Sequence, residues 1–185
     1  MNGWAGRAVL VIAAAVLGGA AAAAAFVFDR VEVGLEGSSV TIDADISYRL
    51  SEEALEALAN GVPLTFELHV QVRSADAWLW EADLVESRLR SLLRYHPLSS
   101  LYEVRDLGSG DKTSFATRAA ALRELGQVRS FPVIPLDRLE AGSSYTLRME
   151  TYLDVDALPL PLRPLAYISP AWSLDSEVWE WRLQP

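Results

Sequence analysis

The sequence predicts a mainly β domain: an antiparallel β-sandwich, Ig-like in general architecture, with two short helices, placed after an N-terminal signal helix. Three observations carry this. Segment after segment alternates apolar and polar side chains with period two, the pattern of a half-buried strand. Only two stretches combine a helical apolar stripe with capping residues. The first 25 residues have a composition unlike anything that follows.

Residues 1–25 read as a signal peptide. Arg7 charges a short polar start, 8–17 is an apolar run, Gly18 and Gly19 break it, and Ala20 to Ala25 offer small residues at every cleavage position. Cleavage after Ala23 or Ala25 would start the mature chain near Phe26. The alternative is a retained anchor, because the uncharged stretch 8–28 is long enough to span a bilayer. Its second half is alanine and glycine, which insert weakly, and this favours cleavage. Either way the body is exported: periplasmic, or anchored in the inner membrane with the domain in the periplasm of a Gram-negative-type bacterium. Residues 26–185 are one domain's worth of chain, enough to bury a core without disulfides.

Within that body, 27–35 and 40–48 form a hairpin about Gly37-Ser38-Ser39. The second strand alternates without a fault, with Val40, Ile42, Ala44, Ile46 and Tyr48 inward. Ser51 caps a helix whose first turn holds Glu52 and Glu53, where the helix dipole favours acids. Asn60-Gly61 ends it in a left-handed cap and Pro63 stops it. Residues 64–73 are another clean strand, 78–84 an aromatic and acidic turn or strand start, and 85–95 a long strand. The turn from His96 to Ser100 leads into a strand at 101–107. After a polar loop at 108–112, Thr113 or Ser114 caps a second helix over 115–125, closed by Gly126. Residues 129–134 carry Pro132, which places that strand at an edge. Ala141-Gly142-Ser143 turns into a strand at 145–153, prolines 159, 161 and 164 make 158–164 an extended or irregular crossing, and 172–183 is the closing strand. Trp179, Trp181 and Leu183 share one parity there, so at least one of the two tryptophans is expected in the core.

The net charge of −9 becomes one unit more acidic without Arg7. Nucleic acid and anionic lipid surfaces need a basic face, and no arginine cluster supplies one; Lys112 is the only lysine. The absence of cysteine excludes thiol chemistry, Cys-type zinc sites and a lipid-modified cysteine. Two carboxylate pairs invite a hydrolase or calcium reading, Asp43 with Asp45 and Asp154 with Asp156, but a solvated strand face and a loop explain them more simply. His69 and His96 lack ligand spacing, and no nucleophile-elbow motif is present. No catalytic, metal or cofactor residues are assigned. Among Trp78, Trp80, Trp172, Trp179 and Trp181, the first two stand among Asp76, Glu81 and Asp83 and are the candidate partner contact.

The segments Leu50-Ser51 to Ala57-Leu58, Asn60 to Leu64, Arg94-Tyr95-His96-Pro97-Leu98, Phe115 with Ala119-Ala120, Tyr152-Leu153-Asp154 with Leu158 to Leu162, and Trp172-Ser173-Leu174 together resemble the proteobacterial domain of unknown function 4390 family. The resemblance covers nearly the whole body. It implies an exported domain behind a leader, lends no catalytic residues, and implies a signalling accessory role near an envelope-sensing histidine kinase. The expectation is therefore a non-enzymatic envelope domain that binds another envelope protein, with the outer domain of such a sensor histidine kinase as the candidate partner. The alternative is a glycan-binding module or hydrolase using the Asp43/Asp45 face or Trp78 and Trp80.

Overall fold

The computed structural model describes residues 24–75 and 84–184. All strand pairing within its two sheets is antiparallel. The smaller sheet has the order β1 (Phe26–Glu36), β2 (Ser39–Tyr48), β7 (Gln127–Pro135). The larger runs β6 (Lys112–Phe115), β5 (Leu101–Asp106), β4 (Val85–His96), β3 (Leu64–Ser74), β8 (Tyr145–Leu153), β9 (Trp179–Leu183). The mainly β fold and its antiparallel sheets are as the alternation predicts. Three α-helices accompany them: α1 (Glu52–Ala59), α2 (Arg118–Leu125) and α3 (Arg163–Ile168).

One face of the six-stranded sheet carries the whole core. In β3 the even-numbered residues Leu64, Phe66, Leu68, Val70 and Val72 are buried, and their register partners Leu93, Leu153, Met149 and Leu147 share that face. The three-stranded sheet covers one end of it, laying Val40, Ile42, Ala44 and Ile46 against Val70, Val72, Leu147 and Met149. Helices α1 and α2, with Leu158, Ala166 and Trp172 from the irregular crossing, cover the other end. Where the two covers meet, Tyr48 lies between Phe26 and Phe66, with ring centroids 4.8 and 5.0 Å away. Its hydroxyl is 3.3 Å from that of Thr151, an otherwise unpaired polar group in a fully buried position.

Local chemistry explains the helix ends. Ser51 accepts from the Ala54 amide, and Gly61 holds φ +81° just past the Asn60 cap, as the sequence leads one to expect. The start of the second helix is different: Thr117 is the cap, not Thr113 or Ser114, and accepts from the Ala120 amide. Residues 112–115 are instead a strand paired with β5 across a turn in which Asp106 accepts from the Gly108 and Ser109 amides. That short pairing is set by its neighbour rather than by its own polar sequence. Pro132 sits in the edge strand β7, as expected. The crossing holds α3 because Pro164 occupies its first turn, where a missing N–H costs nothing. The closing strand is shorter than 172–183: Pro170 opens a 3-10 turn that places Trp172 in the core, and strand pairing resumes at Trp179.

Candidate functional site

The outer face of the six-stranded sheet is polar, and its charges neutralise one another. Odd-numbered residues of β3 alternate there with even-numbered residues of β4 and β8. Glu67, only 5% exposed, accepts a 2.6 Å bond from the Tyr152 hydroxyl and lies 3.6 and 3.4 Å from Arg88 and Arg90. Burial first, and then the Glu67 carboxylate, push the Tyr152 phenol up to about 12. Arg90 donates to Asp154 at 2.6 Å and Arg88 to Glu86 at 2.8 Å. Bonds from Arg88 and His69 lower the Glu86 pKa. His69 sits between Glu86 at 3.0 Å and Glu150 at 3.4 Å, and His96 lies 3.6 Å from Glu103. Neither histidine faces a nucleophile, and no cluster of metal-ligating side chains occurs among the described residues.

The carboxylate pairs are likewise engaged. Asp43 accepts from the Ser130 amide and Asp45 from Arg129, tying β2 to β7. Asp154 caps a 3-10 turn by accepting from the Asp156 and Ala157 amides, while Asp156 accepts from Tyr167. Asp45 also lines a cleft of about 440 Å³ with Asp29, Tyr48 and Arg123, whereas Asp43 is not part of its lining. Trp78 and Trp80, the candidate contact pair, lie outside the described residues.

An apolar opening occurs elsewhere, along one flank of the sandwich. Here β1 is the free edge of the small sheet and β9 the free edge of the large one. The two flanks are tied at one end only, where the Phe26 amide donates to the Asp175 carbonyl and Phe26 bridges Ser176 in parallel. Toward the other end lies a groove of about 550 Å³ lined by Val33, Leu35, Leu136, Leu139, Trp181 and Leu183, among others. Register shows which way these side chains point. Leu35 pairs with Val40 and Trp181 with Leu147, both buried core positions, so Leu35 and Trp181 are on the inner faces of their sheets. Yet Leu35 is 68% exposed and Trp181 52%. Trp181 is held over the groove by stacking on Trp179, with centroids 6.0 Å apart and planes 3° from parallel. Trp179 is half-buried and packs on the core, in line with the shared parity of the two. Among the described tryptophans the buried one is Trp172, at 4%.

The groove was not apparent from the sequence. Alternation marks Leu35 and Trp181 as inward, but only the assembled sheets show that the other described residues leave them exposed.

The family model for a domain of unknown function (DUF4390) matches residues 23–182. No curated protein and no solved structure matches the chain. No helix among the described residues is long and apolar enough to cross a membrane.

Proposed function

We propose that this chain, which belongs to the DUF4390 family, is an exported, non-enzymatic domain of the cell envelope that works by binding another protein there. The observation that carries the reading is the flank groove. Inner-face side chains that a closed sandwich would bury, Leu35 and Trp181, stand open between two free strand edges. The two side chains line one groove, and a tryptophan backed by a second ring is the type of side chain that dominates binding energy. Export rests on the leader, and the outer domain of a sensor kinase is one partner consistent with it.

Two measurements test the reading. The intact mass of protein taken from the periplasm should place the new N-terminus between Ala24 and Val27; a mass that retains Met1 to Arg7 would replace the free periplasmic form with an anchored one. A photo-crosslinking residue at position 181 in living cells should give one discrete adduct with an envelope protein, and the same residue at Arg148 on the polar face should give none. Equal labelling from both positions, or none from either, would count against a partner site at the groove.

A further inference from the structure

We infer that the groove between β1 and β9 receives an extended segment of a partner polypeptide as an added β-strand, with apolar side chains at alternate positions and basic ones between them; this rests on the partner-binding reading above. The groove is lined by residues of β1 and β9 together with Val40 of β2 and Leu136 and Leu139 from the segment after β7; β1 and β9 are edge strands, each hydrogen-bonded to its own sheet on one side among the described residues beyond the Phe26–Ser176 tie. Such edges present rows of backbone N–H and C=O groups that another strand satisfies and a helix does not. β1 and β9 run in the same direction from that tie, and Leu35 and Leu183 line the same groove. The floor is the apolar inner layer, and a strand turning alternate side chains inward would lay them on Leu35, Val33, Trp181 and Leu183.

The rim sets the charge. On the outward parity of the two walls stand Arg30, Glu32, Glu36, Glu180 and Arg182. Arg30 is already paired with Glu32 at 2.6 Å and lies 3.7 Å from Asp45. Glu36, Glu180 and Arg182 make no ion pair among the described residues, which leaves the rim one acid in excess, in a chain whose net charge is −9. An incoming strand with lysine or arginine on its outward face matches that rim; an acidic one does not.

The test uses the purified chain and two synthetic peptides of roughly ten residues. One alternates valine with lysine and threonine; the other is the same peptide N-methylated at every second residue, which removes the amide donors of one edge and leaves the side chains. Tryptophan fluorescence reports binding. The inference requires the unmethylated peptide to bind, the methylated one to bind at least about tenfold more weakly, and Trp181→Asp and Leu35→Asp to lose binding to a similar degree. Equal binding of the two peptides overturns strand addition, as does undiminished binding to both variants. Self-association of the chain that occupies the groove in sedimentation also overturns it. If neither peptide binds while the position-181 adduct still forms in cells, strand addition fails and the partner-binding reading stands. If both measurements fail, so do both proposals.

Discussion

A single methyl group at Gly126 would have to occupy the same space as the backbone of a neighbouring strand. Gly126 follows α2 and turns the chain into β7, and its carbonyl accepts from the Ile46 amide at 2.9 Å. A Cβ built there falls 2.0 Å from the Ile46 carbonyl oxygen and 3.0 Å from its carbon. Because the obstacle is backbone in a central strand, no side chain can swing away. With φ at −82° the residue's own conformation is ordinary, so left-handed strain plays no part. On conformational grounds alone, Gly→Ala at such a φ stabilises by about 0.4–1 kcal/mol, through the unfolded chain. Overpacking of a tight site costs about 1–3 kcal/mol, and losing the Ile46 bond adds about 1 kcal/mol. The clash wins, and Gly126→Ala should destabilise by about 2–3 kcal/mol. Urea unfolding followed by tryptophan fluorescence reads this as a lower midpoint at unchanged slope. A midpoint equal to or above that of the parent chain would refute the close approach of β2 to the α2–β7 corner.

Gly61→Ala tests a different mechanism. Its Cβ would meet nothing closer than 3.5 Å, but φ is +81°, so the expected loss is about 1 kcal/mol, and an unchanged midpoint would mean the cap is misread. Trp172→Ala should cost about 3–5 kcal/mol as a core cavity, against about 0.5 kcal/mol for Trp181→Ala; equal losses would make Trp181 a core residue. Burial raises Tyr48 to about 12, as burial and Glu67 do Tyr152. A phenol raised in the folded state leaves stability intact below its unfolded value of 10 and lowers it as pH climbs toward 12. Ultraviolet titration should show Tyr48 and Tyr152 ionising near pH 12 or only on unfolding, and Tyr152→Phe should shrink that component and flatten the loss of stability between pH 10 and 12. Absence of any such high-pH component would contradict both placements.

Much of this fold is legible in the residues. Val40 to Ile46 and Leu64 to Val72 announce their buried faces by alternation, and Ser51 with Gly61 delimits α1. What alternation cannot supply is the extent of cover on either side. Glu67 has the outward parity of β3 and is buried all the same, because Arg88, Arg90 and Tyr152 fold over it from β4 and β8. Trp181 and Leu35 have the inward parity and are open all the same: Leu136 and Leu139 share their groove but leave both side chains exposed. Strand β6 exists through its pairing with β5, and α3 forms despite three nearby prolines because Pro164 fits a first turn. Each of these is a tertiary fact imposed on a local pattern.

The central claim is that Leu35 and Trp181 are kept for a partner rather than for the fold, and the double substitution Leu35→Asp with Trp181→Asp separates the two directly. Urea unfolding and the crosslinking readout from the half-buried neighbouring position Trp179 are measured on the same variant. The account predicts a loss of stability within about 1 kcal/mol, as for surface changes at two sites, together with disappearance of the adduct. Collapse of the fold would show that these side chains belong to the core, and an adduct undiminished by two charges in the groove would show that the partner docks elsewhere.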